Sequence, residues 1–268
     1  MVRAAARAGI ELLALTDHDA TDGVDEALAA GAAAGIRVVP GVELSALDEL
    51  HEDFHVCAYL MDHHAPAWTE ALAAFRADRL ARGLRMADAL EAVGLGLDRG
   101  PLERRAAGGR PVGRPHLAQA VLDAPPNAGR LAAEGLRTVG DVIEAYLIAG
   151  RPGYRRRTVP TVAEAIEVIH AAGGLAVWAH PFWDLAEEDE VLATLERFAA
   201  LGLDGVEAFY VTHTAGQTRL LAGRARELGL LTTGSADFHG PAHAQFSAFG
   251  SFALHGLEPD LGPIAAGR

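Results

Sequence analysis
The chain has 268 residues, half of them apolar, enough for the core of one large α/β domain with or without a smaller insertion. Its net charge of −13 excludes broad electrostatic binding to duplex nucleic acid, which needs a basic face. No apolar run reaches the ~18 residues of a membrane span, and the single cysteine, Cys57, excludes an intramolecular disulfide framework; no secretion signal and a cytoplasmic location are expected.

Residues 1–9 predict a helix, since AAARA is strongly helix-forming. Glu11–Thr16 is a short apolar run ending in polar residues, as a buried parallel strand would. A helix over Val24–Ala34 closes at Gly35, and Ile36–Pro40 predicts the next strand. Phe54–Leu60 predicts a third, with His55 in it. Trp68–Val93 is a long helical pattern, with charged residues on one side and Leu, Phe and Met on the other.

From Gly94 to Arg157, Pro and Gly are frequent and no strand pattern occurs. This segment predicts a small helical insertion, with helices near Arg114–Leu122 and Val139–Ile148. The α/β rhythm then resumes: helix Val162–Ala172, strand Leu175–Ala179, helix Glu187–Leu201, strand Gly205–Ala208, helix Ala215–Leu228 and strand Leu230–Thr233. A last apolar run, Phe246–Phe252, is expected to close or flank the sheet. The alternation predicts a parallel sheet, and the number of units favours a barrel over an open sheet. The expected organisation is a barrel from residues 1–93 and 158–268, with the insertion 94–157 over its mouth.

Metal-capable residues recur at one place in this pattern. Asp17-His18-Asp19 follows the first strand, Glu43 follows the second, and His55 lies in the third. His180 ends the strand LAVWA, and Asp237 and His239 follow LLTTG. Residues just past the C-terminal ends of parallel strands converge on one mouth. Imidazole and carboxylate donors suit Zn²⁺, Mn²⁺ or Fe²⁺, and a carboxylate such as Glu43 can bridge two ions. Grouped ions can bind phosphate oxygens and generate hydroxide near neutral pH. Each residue alone has a plainer reading. His55 reads equally as a hydrogen-bonded core histidine, Asp17 and Asp19 as helix caps, and His180 as a loop residue before Pro181.

The segments ALTDHDATDG, VVPGVELSA, FHVCAYL, VWAHP and TTGSADFHG, in this order, resemble the metal-site motifs of the polymerase-and-histidinol-phosphatase (PHP) family. GRPHLAQAV and AGRPGYRRR resemble the insertion motifs of its small stand-alone members, nucleoside 3′,5′-bisphosphate phosphatases and 5′–3′ exonucleases. The resemblance implies a distorted seven-stranded (β/α) TIM-like barrel holding up to three divalent ions, with Mn²⁺ expected and Zn²⁺, Fe²⁺ or Mg²⁺ as alternatives. It implies His18, Glu43, His55, His180, Asp237 and His239 as ligands, with Glu43 bridging two ions. Arg114, His116, an arginine such as Arg155 and the site-proximal His213 would meet substrate; His213 reads equally as a surface loop residue. His18, His239 and Arg114 would assist catalysis.

Family members begin with a strand bearing an HxH motif, and nothing here matches it, so the first strand and three ligands are expected to be missing from this chain. The function implied is hydrolysis of a phosphomonoester of a nucleotide-like substrate, with a small phosphorylated molecule as partner. The rival is an inactive PHP domain acting as a binding module. An amidohydrolase with a bridging carbamylated lysine is disfavoured because the chain contains no lysine.

Overall fold
The computed structural model describes residues 1–51, 54–108 and 112–266. The chain divides into two compact units, Met1–Leu72 with Pro160–Arg268, and Ala73–Val159.

The first unit opens with helix α1 (Val2–Arg7), strand β1 (Leu12–Leu15), helix α2 (Val24–Ala34) and strands β2 (Arg37–Ala46) and β3 (Phe54–Tyr59). Gly35 ends α2 in the left-handed conformation, at φ 71°, which glycine adopts without a Cβ penalty. Gly31 lets α2 lie close on the sheet, since a Cβ there would clash with Val38 Cγ2. Helix α3 (Pro66–Ala92) then runs from the first unit into the second.

The second unit adds helices α4 (Arg99–Ala107), α5 (Arg114–Leu122), α6 (Ala128–Glu134) and α7 (Val139–Val142), the last continuing as a π-helical turn over Ile143–Leu147. Leu90, Leu117, Val121, Val142 and Leu147 are fully buried in its core. Buried Asn127 is satisfied there, donating to the Gly96 and Val121 carbonyls (2.8 and 2.7 Å) and accepting from Gly96 N–H (2.8 Å). The helices α4 and α6 lie outside the two expected from sequence. Pro101 in the first turn of α4 reads as a break yet costs no hydrogen bond there, and Pro125 and Pro126 precede α6 in a 3-10 turn of their own.

The first unit resumes with α8 (Val162–Ala171), β4 (Leu175–Trp178), α9 (Pro181–Asp184), α10 (Glu188–Ala200), β5 (Gly205–Tyr210), α11 (Ala215–Leu228), β6 (Leu231–Ser235) and α12 (Pro263–Ala266). Capping boxes start two of these helices, Thr161 with Glu164 on α8 and Thr214 with Gln217 on α11. Arg37 of β2 donates to the Ile264 and Ala265 carbonyls, tying α12 to the sheet.

The six strands form one curled sheet in sequence order, β1 to β6. It is mixed, not parallel as expected: β3 runs antiparallel to both β2 and β4, while the other pairs are parallel. An apolar run carries no mark of its direction. The short connection between β2 and β3, in which no described residue is helical, permits an antiparallel return. The run Phe246–Phe252 forms no strand; it is irregular and flanks the sheet, with the Phe252 ring beside Gly234 of β6. Phe54, Trp178 and Phe198 meet edge-to-face at the core, with ring centroids 5.1 to 5.6 Å apart.

Candidate metal centre
The loop after β1 extends the pairing of β1 with β2. His18 bridges to Glu43, and Asp19 N–H donates to the Glu43 carbonyl at 2.9 Å. Asp19 does not cap α2. Its buried carboxylate accepts from Ser45 N–H at 2.9 Å and from the Ser45 hydroxyl at 3.4 Å, while the cap of α2 is Gly23. The loop is thereby pinned to β2, and His18 is held beside Glu43.

Glu43 itself stands within β2, opposite Cys57, and not past the strand end as the sequence pattern implied. β2 continues through Gly41 to Ala46 because β3 pairs along this second half. His55 lies at the start of β3, opposite Ser45. Since β3 is antiparallel, its first residues share the end of the sheet reached by the last residues of β2 and β4. His180 follows β4 as the cap of α9.

These residues converge on one carboxylate. Glu43 Oε1 lies 2.9 Å from His55 Nδ1 and 3.1 Å from His180 Nε2, and those two nitrogens are 3.0 Å apart. The other oxygen, Oε2, faces His18 Nδ1 at 3.7 Å. Donor atoms of His18, Glu43 and His55 all lie within 4.8 Å of one another. A triangle of two imidazole nitrogens and one carboxylate oxygen, about 3 Å on each edge, has the spacing of donors sharing a metal bonded at ~2.1 Å. With each Glu43 oxygen facing its own histidine group, the donor set fits the implied divalent ions.

Asp237 and His239 extend the cluster. The Tyr210 hydroxyl donates to Asp237 Oδ2 at 2.8 Å, and the Tyr210 ring lies 5.4 Å from that of His180. His239 Nδ1 is 3.4 Å from Asp237 Oδ1. Asp19, His180 and Asp237 all adopt positive φ, at 51°, 33° and 47°. Such backbone outliers for non-glycine residues concentrate where side-chain position is over-determined, as at functional sites.

Burial opposes the charge of Glu43, but His55, His180 and His18 outweigh it and hold the carboxyl well below the ordinary range. Burial also lowers the basicity of His180, against which Asp184 and Glu43 raise it to about 11. Two supporting carboxylates escaped the sequence reading. Asp184 Oδ1 lies 3.6 Å from His180 Nδ1, at the i+4 position of the AHPFWD segment, a spacing that could have revealed it. Glu207, on β5, accepts the His180 backbone N–H at 3.0 Å. Burial pushes Glu207 up to about 8 against the opposing pull of His180. A lone Glu in the strand GVEAFY gave no sequence signal.

His213 is buried in the first unit, not on its surface. Its Nδ1 pairs with the Ala208 carbonyl at 3.2 Å, and its ring packs on Phe182 and Tyr210. Burial pushes it down to about 4. Arg114, His116 and Arg155 belong to the second unit. Arg114 and His116 lie in the first turn of α5, where His116 Nδ1 accepts Gly113 N–H at 3.1 Å. Arg155 is exposed and donates to the Pro152 and Tyr154 carbonyls.

No family model matches the chain. It is 35% identical over 243 residues to a 3′,5′-nucleoside bisphosphate phosphatase of Chromobacterium violaceum, spanning 89% of this chain and 80% of the relative. It is 31% identical over 241 residues to a 5′–3′ exoribonuclease of Haemophilus influenzae, spanning 90% of this chain and 84% of that one. Among solved structures, one described as an amidohydrolase from Chromobacterium violaceum, with bound sulfate and no metal, matches with a TM-score of 0.77 and 29% identity over 98% of this chain and 88% of that one. Another, described as a candidate metal-dependent phosphoesterase from Bifidobacterium adolescentis, matches with a TM-score of 0.71 and 29% identity over 94% and 84% of the two chains. The order of the motifs, the histidine and carboxylate cluster on the sheet and these relatives agree: the chain belongs to the PHP family of metal-dependent phosphoesterases.

Proposed function
We propose that the chain hydrolyses a terminal phosphomonoester of a nucleotide-like substrate at the Glu43 centre, with a 3′,5′-nucleoside bisphosphate as the preferred form. The observation that carries this reading is the division of labour at Glu43, whose Oε1 faces His55 and His180 while Oε2 faces His18. That is the arrangement a carboxylate needs to bridge two ions. His55 and His180 would complete one position, Asp237 would serve a second, and His18 with His239 would hold a third. Divalent ions bound there, with Mn²⁺ the favoured metal, would supply Lewis acidity toward phosphoryl oxygens and a water acidified to near-neutral pKa.

The chain's own part is orientation and charge. Asp19 fixes the His18 loop through Ser45, and Asp184 holds the outer nitrogen of His180. Tyr210 orients Asp237. His239, on an exposed loop, would assist the leaving oxygen as the resemblance implies. Arg114, with His116 and Arg155, would meet substrate as the resemblance implies, while His213, buried against Tyr210, would act from behind the site. The seven-stranded barrel form would place one more strand against the outer edge of β1, and with it the HxH ligands. A buried free Cys57 accords with a reducing cytoplasm.

Two relatives name two kinds of substrate, a mononucleotide bisphosphate and an RNA end. The strongly acidic chain favours the smaller one, because a long polyanion meets repulsion over more of its length. The test is phosphate release from adenosine 3′,5′-bisphosphate against mononucleotide release from a 5′-phosphorylated oligoribonucleotide, each with Mn²⁺ and with EDTA. Faster Mn²⁺-dependent release from the bisphosphate supports the reading. Turnover that survives EDTA removes it, and a preference for the oligonucleotide reassigns the substrate.

A further inference from the structure
A second cluster of metal-type donors lies outside the Glu43 centre. Asp25 is the second residue of α2, and His63 and His64 occupy the turn between β3 and α3. His63 Nε2 lies 2.9 Å from Asp25 Oδ1, and His64 Nε2 lies 3.2 Å from the same oxygen. One donor atom from each residue falls within a 4.8 Å sphere of mutual separation. None of the three contacts Glu43, His55 or His180 in the interactions described above.

The convergence is built by the backbone. Asp62 N–H donates to the Ala172 carbonyl at 2.9 Å, which anchors the turn. The Asp62 side chain then accepts His64 N–H at 3.0 Å, and its carbonyl accepts Ala65 N–H at 3.1 Å. This tight turn lays the two adjacent imidazoles side by side, with centroids 4.1 Å apart and planes tilted by 39°, so that both Nε2 atoms point the same way. Neighbouring residues in extended chain point apart; here the turn brings them to one oxygen. The His63 side chain is only 11% exposed and therefore fixed, while those of Asp25 and His64 are 66% and 68% exposed. The site thus has a rigid inner ligand and a face open to water.

We infer that Asp25, His63 and His64 form a second divalent-cation site, of the two-histidine, one-carboxylate kind that suits Zn²⁺. Donors bonded to zinc at ~2.0–2.1 Å in a tetrahedron lie ~3.3 Å from one another, so the observed 2.9 and 3.2 Å need only a small opening to admit the ion. Water fills the fourth position, which makes the ion exchangeable. On binding, each ring presents an unprotonated Nε2, and any proton held there passes to solvent. The chain's net negative charge favours cation capture. The bound ion staples the turn ahead of α3 to the start of α2, two segments far apart in sequence, and makes the stability of the first unit respond to zinc.

The experiment uses the full chain and Zn²⁺ alone as probe. Zinc per chain after gel filtration, and melting temperature against added Zn²⁺, are measured for the wild type and for His63→Ala with His64→Ala. The site predicts that the double variant retains about one zinc fewer and loses a zinc-dependent rise of ~5 °C. Phosphoesterase activity in Mn²⁺ stays unchanged. Equal zinc content and an equal thermal response in both proteins overturn the proposal and leave the cluster as ordinary hydrogen bonds. If the double variant does not fold, Asp25→Asn decides. It keeps the exposed helix start and a hydrogen-bond acceptor, and zinc affinity should fall at least ~10-fold; unchanged affinity contradicts the site.

Discussion

His55 Nδ1 and His180 Nε2 lie 3.0 Å apart although one residue stands near the start of its strand and the other follows the end of its own. Val56 pairs with Trp178 in antiparallel register, and Ala179 N–H donates to the His55 carbonyl at 3.0 Å. The direction of β3 therefore makes the pair. Reversing β3 in an all-parallel sheet would carry His55 to the opposite end, away from Glu43.

Asp184 sits 3.6 Å from His180 Nδ1 and also accepts from Trp178 Nε1 at 3.5 Å. A carboxylate behind a ligating histidine fixes its ring and raises its basicity. Asp184→Asn should weaken metal binding ~10–100-fold, read as a shifted Mn²⁺ activation midpoint, with kcat recovering at high Mn²⁺. An unmoved midpoint would show that Asp184 has no positioning role.

His213 titrates at about 4, lowered chiefly by burial. Its folded value lies below the ~6.5 of an exposed histidine, so between these values the unfolded chain binds more protons. The contribution is complete above ~6.5 and is lost as pH falls toward 4, costing about 2 kcal/mol between pH 7 and pH 5. His213→Phe should flatten that part of the stability profile, measured by urea unfolding at the two pH values. An equally steep fall in the variant would assign the loss to other groups.

Phe198 is buried on α10 between Phe54 and Trp178. Phe198→Ala leaves a cavity at the meeting point of β3, β4 and α10, and should cost about 3–5 kcal/mol of stability. Urea unfolding measures the cost; a loss below ~1 kcal/mol would mean that the three rings do not close the core.

Much of this arrangement is legible in the residues themselves. Gly35 marks the end of α2, and the apolar runs at Leu12, Phe54 and Leu175 fall on strands. The DHD, GVELS and AHP segments bring His18, Glu43 and His180 together as their order implied. Strand direction is not legible, because burial on both faces produces the same apolar run either way. That hid the antiparallel β3 and with it the extension of β2 past Glu43. The helix α4 was hidden by Pro101 near its start, although Asp98 caps it by accepting Gly100 N–H at 3.0 Å. Glu207 was hidden because a carboxylate inside a strand shows its partner only once His180 is placed beside it.

In the proposed function Glu43 would join the metal positions of the site. Counting bound metal in the wild type and in Glu43→Gln, loaded with Mn²⁺ and freed of excess by gel filtration, decides this. The Gln side chain keeps the shape but lacks the charge and one acceptor oxygen. The wild type should retain more than one Mn²⁺ per chain, and Glu43→Gln should lose that metal together with about three orders of magnitude in phosphate release. Equal Mn²⁺ content in the two folded proteins would contradict it and move the metal away from the His18, His55 and His180 cluster.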